Sequence, residues 1–222
     1  MTAWRLLLLL VLAVTFVAPA HATRWSAGGQ VGYNDGPGAF AYGMVSEFAT
    51  GLPLALRLGA GYTSVAPGSA LDARRVFIND ATNGTPEKSA HRWDARFDML
   101  YRLPFAGWDR FHALGGVRYL HHTSDFKFIG GNEFFNITSK QWGLGLGMDA
   151  MFAMGAKADF VMGGGLDYFF DANLTGHDTA YSPDGEHVNA RAEYSYADAD
   201  DAINQPSLEF RFMIGVNYRF GR

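Results

Sequence analysis

The final segment of the chain alternates strictly between two kinds of residue. From Leu208 every second position is apolar (Leu208, Phe210, Phe212, Ile214, Val216, Tyr218, Phe220), and the positions between read Glu209, Arg211, Met213, Gly215, Asn217 and Arg219. Side chains of a strand change faces with period two, so this predicts a strand with one face suited to lipid and the other to a polar interior. Three charges on the second face argue against a dry sandwich core. The same test predicts seven more strands, each holding one parity for about ten residues, the length a tilted membrane-crossing strand needs. Their outward faces read Trp25, Val31, Tyr33; Phe40, Tyr42, Met44, Phe48; Leu54, Leu56, Leu58, Tyr62; and Trp93, Phe97, Met99, Tyr101, Leu103. The second half continues with Phe111, Val117, Tyr119; Trp142, Leu144, Leu146, Met148, Phe152; and Phe160, Met162, Leu166, Tyr168, Phe170. In the fifth strand Leu114 and Leu120 fall inward, which predicts a bulge or a shifted boundary there.

The connections sort by length. Segments 49–53, 104–110 and 155–157 are short, whereas the opposite set holds a turn at Gly36-Pro37, a long segment 66–92, a short one near Gly130-Gly131 and a long one 176–205. Tight turns at one rim and long loops at the other are the outer-membrane pattern. The predicted fold is all-β: a closed antiparallel transmembrane β-barrel of about eight strands, with short periplasmic turns and two long extracellular loops. A soluble barrel of the lipocalin type is the structural alternative. Within 66–92, Val76, Phe77 and Ile78 are expected to extend a strand above the membrane and Asn83-Gly84 to form a turn, with Arg74, Arg75 and Lys88 available to lipid phosphates.

Residues 1–22 carry Arg5, an apolar run and a closing Ala20-His21-Ala22, the build of a cleaved signal peptide. The apolar run is too short for a helical span. The expected mature unit is 23–222, a single domain localised to the cell outer membrane. The chain has no cysteine, so an exported domain of this sequence takes no stability from disulfides. Closing a sheet on itself supplies stability another way, by pairing every backbone group. A mean hydropathy of −0.06 beside 48% hydrophobic residues fits apolar residues spread by alternation rather than gathered in spans.

The inward positions carry the cations Arg57, Arg96, Arg102, Arg118, Arg211 and Arg219 and the anions Glu47, Asp94, Asp98, Asp149, Asp159, Asp167 and Glu209. An eight-stranded barrel is only wide enough for side chains to fill. Such charges are expected to pair and hold the lumen largely shut, in preference to lining an ion path. Inward Gly143, Gly145 and Gly147 leave room for the long side chains or for curvature, and their strict period of two is unlike a nucleotide-binding loop.

Segment 176–205 sets seven carboxylates against the single Arg191. A solvated acidic loop is the simpler expectation. Asp198, Asp200 and Asp201 are weak candidates for a divalent cation, and no EF-hand spacing is present. For catalysis the one candidate is His122 with Ser124, two apart and so on one face, with Asp125 or Glu133 to orient the imidazole. The tripeptide His122-Thr123-Ser124 resembles the His-x-Ser of lipid A deacylase and outer-membrane phospholipase, although Asp125 stands where those families have Asn. No enzymatic activity, cofactor or nucleic-acid partner is expected.

The signal-like N-terminus, the eight alternating strands, the sorted loops and the terminal Val216-Asn217-Tyr218-Arg219-Phe220 together resemble the small outer-membrane β-barrel families typified by OmpA's barrel and OmpX. That resemblance implies a monomer in contact with outer-membrane lipids and lipopolysaccharide. It also implies assembly through the barrel-assembly machinery, which reads a terminal aromatic matched here by Tyr218 and Phe220, although Gly221 and Arg222 follow. The function expected is structural or surface-interactive, with a narrow porin-like channel as the alternative and a lipid-modifying enzyme behind both.

Overall fold

The computed structural model describes residues 23–48, 51–105, 108–130, 133–172, 174–178, 187–189, 191 and 193–220. The expected signal peptide, 1–22, lies outside the described residues, as do Asp184 and Glu186 of the acidic segment. In chain order the elements are β1 (Arg24–Asn34), β2 (Pro37–Ser46), β3 (Leu54–Val65), α1 (Ala70–Phe77), β4 (Thr85–Phe105), β5 (Trp108–Ile129), β6 (Glu133–Ala153), β7 (Ala158–Phe169), β8 (Leu174–Asp178), β9 (His187–Asn189), α2 (Tyr196–Ile203) and β10 (Leu208–Phe220).

Eight of these strands run in the order β5-β4-β3-β2-β1-β10-β7-β6, and pairing of β5 with β6 closes the circle. Neighbours are antiparallel throughout, with β1 joining β10 from Trp25↔Phe220 to Asn34↔Arg211. The outward parity of seven strands is as the alternation predicts: Trp25, Leu58, Trp93, Val117, Leu146, Leu166 and Phe210 all face out. The ladder between β4 and β5 is regular through Leu114 and Leu120; its one shift pairs Leu103 with Phe111 but Phe105 with Trp108, so the irregularity expected in the fifth strand is an extra β5 residue at the short-turn end, away from those leucines. Leu114 and Leu120 are inward apolar residues in register.

β2 is the correction. Phe40, Tyr42 and Met44 point into the barrel, Phe40 being 2% exposed, and Ala39, Ala41 and Gly43 face out. Both parities of this strand are apolar and only size separates them, so polarity cannot choose the face. The interior decides: the Arg96 guanidinium lies 4.6 Å from the Phe40 ring centroid and that of Arg57 lies 5.2 Å from Tyr42. Aromatic faces attract buried cations, and here they line the wall that carries no carboxylate.

β4, β5 and β6 have 21, 22 and 21 residues, against 10 to 13 for β1, β2, β3, β7 and β10. The surplus of about ten residues raises a three-stranded wall at the long-loop end, roughly 30 Å along the strands. β8 continues the β7 edge of this wall, pairing Leu174 with Ser139, and β9 adds to β8. Against the inner face of the wall pack two helices. α1 takes the place of the expected strand extension at Val76 and Phe77. Its apolar residues Ala70, Ala73, Val76 and Phe77 recur at helical spacing, and the Ser69 hydroxyl caps it by accepting from the Asp72 amide. α2 begins with a reciprocal capping box between Ser195 and Asp198 and ends on Asn204 in the left-handed conformation.

Candidate functional site

The lumen is filled by a ladder of alternating charges. Arg57 pairs with Asp98 at 2.9 Å and with Asp149; Arg118 pairs with Asp98 at 2.7 Å and with Asp167 at 2.8 Å; Arg211 also pairs with Asp167. The order Asp149, Arg57, Asp98, Arg118, Asp167, Arg211 therefore ties six strands across the interior, and all six side chains are buried. Each carboxylate between two guanidiniums uses both oxygens, which is how a buried charge offsets its loss of water. Arg96 pairs with Asp94 on its own strand.

Glycines make this density possible. A Cβ on Gly145 would collide with the Arg118 guanidinium and the Asp167 carboxylate, and one on Gly163 with the Asp149 carboxylate. Gly143 and Gly147 instead face the backbone of β7, where a Cβ would meet the carbonyls of Tyr168 and Gly164.

The expected interior set divides in two. Arg57, Asp94, Arg96, Asp98, Arg118, Asp149, Asp167, Glu209 and Arg211 are buried in the lumen. Glu47, Arg102, Asp159 and Arg219 are at the short-turn mouth. Glu47 is not part of the interior network: β2 stops at Ser46, Glu47 takes a positive φ of 56°, and its carboxylate meets Arg24 at 2.9 Å in solvent. Arg219 meets Asp159 at 3.3 Å. Arg102 is exposed and makes no ion pair among the described residues.

Arg92 is the residue the alternation missed. It is 1% exposed, pairs with Glu209, and donates to the Asn34 carbonyl at 2.6 Å. Its parity matches Asp94, Arg96 and Asp98, so continuing the period of β4 past Trp93 would have found it. Above Arg92 lies an apolar cap in which Ala73, Val76 and Phe77 of α1 and Ala199, Ala202 and Ile203 of α2 meet Phe126, Phe128, Phe135 and Ile137 of the wall. Phe135 stacks on Phe126 at 5.3 Å and on Phe128 at 6.3 Å. Arg74, buried beside Phe128 with its guanidinium 4.1 Å from that ring, pairs with Glu133 and donates to the carbonyls of Ala81 and Asn83.

The His122–Ser124 pair sits beneath this cap, with Nε2 of His122 3.0 Å from the Ser124 hydroxyl. Both residues are 0% exposed, so no substrate in solvent or lipid reaches them in this conformation. Glu133 is engaged by Arg74, and Asp125 lies on the opposite parity. Burial, and secondarily the Arg92 charge, pushes the His122 imidazole down to about 4. Since the unfolded imidazole takes its proton near 6.5, it binds more protons than the folded one between those values. The cap accordingly loses stability as pH falls from about 6.5 to about 4, by up to about 3 kcal/mol. Hydrogen exchange of α1 and α2 at pH 7 and pH 4.5 measures this loss, and His122→Gln is expected to flatten the difference. An equal pH slope in the variant contradicts the assignment.

Among the described residues no three carboxylates or imidazoles gather as metal ligands. Of the weak candidates, Asp198 spends its carboxylate on the Ser195 amide at 2.8 Å and hydroxyl at 2.6 Å. Asp200 and Asp201 follow on the same short helix. Tyr218 and Phe220 face outward at the short-turn end, their rings 5.4 Å apart.

No family model and no curated protein matches the chain. Among solved structures, the chain resembles a major outer membrane protein from Thermus thermophilus, with a TM-score of 0.77 at 23% identity over 90% of this chain and 100% of that one. The attachment invasion locus protein Ail of Yersinia pestis aligns with a TM-score of 0.46 at 13% identity, covering 89% of this chain and 97% of the other. CarO2 of Acinetobacter baumannii gives 0.46 at 14%, covering 90% and 100%. The first of these, itself a major outer membrane protein, shares the barrel fold of this chain, the class of fold that the sequence pattern resembles.

Proposed function

We propose that this chain is an outer-membrane barrel with a closed lumen, acting as a rigid anchor that presents its helical cap and acidic segment at the cell surface. The observation that carries this reading is the buried ladder from Asp149 to Arg211, which occupies the space a pore would need. Two girdles support the membrane placement. Tyr62 with Trp93, Tyr119 with Trp142 and Tyr168 with Phe170 ring the long-loop side, and Tyr218 with Phe220 and Phe152 with Phe160 ring the other. Trp93 and Tyr101 are about 26 Å apart along β4 at the usual strand rise, or about 20 Å along the axis at a tilt near 40°. That is close to the ~25 Å apolar band of membrane barrels.

On this reading the long-loop end is extracellular and the short turns are periplasmic. Lipids and lipopolysaccharide contact the girdles, the barrel-assembly machinery reads Tyr218 and Phe220, and the protein is a monomer. A role without catalysis is supported by the sealed His122–Ser124 pair. Fractionation of an expressing Gram-negative host tests the placement. Recovery in the detergent-resistant outer-membrane fraction, with different gel migration before and after boiling, is the expected result; recovery in the soluble periplasmic fraction overturns it.

A further inference from the structure

At the short-turn mouth the barrel holds a cavity of about 290 Å³, enough for about nine or ten waters at liquid density. Arg24, Arg102, Arg110 and Arg219 line it together with His112. Glu47 and Asp159 are the carboxylates among its lining residues, and each is already bound to an arginine: Glu47 to Arg24 and Asp159 to Arg219. Among the described residues Arg102 and Arg110 make no ion pair, and within that set they are two guanidiniums at the mouth without a carboxylate partner.

Their placement follows from register. Arg102 of β4 stands directly across from His112 of β5, and Arg110, two residues before His112 and within the register shift of β5, lines the same cavity. Directly opposed residues of an antiparallel pair have Cβ atoms about 4.5–5.5 Å apart, so Arg102 and His112 share one wall, and the exposed Arg110 lines the cavity with them. In the circle of eight strands β4 is opposite β10 and β5 is opposite β1. Arg219 and Arg24 therefore face this wall across the mouth. Beneath the ring, Met44, Ala55 and Met151 form an apolar floor. A ring of arginines around a small cavity is the arrangement pores and pockets use for phosphate-class anions, because the planar fork donates two parallel hydrogen bonds to an oxyanion.

We propose that this mouth is a binding site for a phosphate-type oxyanion, held by Arg102 and Arg110 with His112 as a further donor or acceptor. The anion is either a free phosphate or the phosphodiester of a lipid headgroup at the rim. The site depends on the arginine ring alone and stands whether or not the lumen above it conducts.

Calorimetry on the full folded protein in dodecyl maltoside, a phosphate-free detergent, tests the proposal at low ionic strength. Inorganic phosphate and dihexanoyl phosphatidylglycerol are titrated in separate arms. Saturable binding of at least one is expected, weakened at least tenfold in Arg102→Gln/Arg110→Gln and unchanged in Lys127→Gln/Lys140→Gln, which removes the same charge elsewhere. Binding of phosphate alone identifies a soluble anion, and binding of the lipid alone identifies a headgroup. Arg102→Lys/Arg110→Lys keeps the charge while removing the forks, and is expected to bind with intermediate affinity. Heat-modifiable migration verifies that each variant is folded. Saturable heat in neither arm, or equal affinity in the glutamine variant, overturns the proposal.

Discussion

Asp98→Ala is expected to lower the unfolding free energy of the barrel by about 3–5 kcal/mol, the usual cost of removing one partner from a buried ion network. Asp98 is 0% exposed and is the link between the Arg57 and Arg118 pairs, receiving Nε and Nη2 of Arg57 at 3.2 and 2.9 Å and Nη1 of Arg118 at 2.7 Å. Without it two guanidiniums share a dry space with their remaining partners, Asp149 and Asp167, on outer sides of the gap. Gly116 of β5, directly opposite Asp98, offers no side chain to take the place of the lost carboxylate. Urea unfolding in lipid vesicles, followed by tryptophan fluorescence, measures the change. Asp98→Asn restores the shape without the charge and should recover only part of the loss. A change under about 1 kcal/mol for Asp98→Ala would mean that the ladder is not what sets the barrel's stability.

Phe135→Ala is expected to loosen the cap while leaving the barrel folded. Phe135 is fully buried at the centre of the cluster that joins α1 and α2 to the wall, and truncating a buried Phe costs about 3–5 kcal/mol. Among the described residues α1 is also tied to the wall by the buried Arg74–Glu133 pair and the Arg74 contact with Phe128, and backbone and side-chain hydrogen bonds supply further ties. They include the Ser69 amide to the Ala202 carbonyl at 3.0 Å, the Arg191 amide to the Val76 carbonyl at 2.9 Å, and Lys88 Nζ to the Gly68 carbonyl at 2.6 Å. Faster hydrogen exchange and proteolysis within 66–84 and 191–207 is therefore expected, with heat-modifiable migration retained. A variant whose helices exchange as slowly as the wild type would show that the polar ties alone hold the cap. Loss of the folded band would show that cap and barrel are one cooperative unit.

Where one face of a strand is polar and the other apolar, the sequence reads directly into the fold. β10 is the clearest instance, since Leu208 to Phe220 face out and Glu209, Arg211 and Asn217 face in as their chemistry demands. β2 escapes the same logic because Ala39, Ala41 and Gly43 are as apolar as Phe40, Tyr42 and Met44. Arg57 and Arg96, on other strands, choose between the two faces, and a local pattern contains no information about those neighbours.

The cap is hidden for a related reason. Val76-Phe77 next to Ile78 reads as a β run, yet the spacing back to Ala73 and Ala70 and the Ser69 cap favour a helix once Phe126 and Phe135 offer a surface to bury it. The interior charges are legible as a set but not as pairs. Nothing local distinguishes Arg118, locked between Asp98 and Asp167, from Arg102, which lines the mouth and has no ion pair among the described residues. Arg92 escapes only because the alternation begins β4 at Trp93, whereas its ladder with β5 runs on to Thr85.

The central claim is that a buried charge ladder and an apolar cap close the lumen. Single-channel recording of the purified protein in planar bilayers tests it most directly. The account predicts membranes that stay at baseline current under applied voltage, with folded barrel verified in the same preparation. A reproducible, steady conductance step that scales with salt concentration would contradict it.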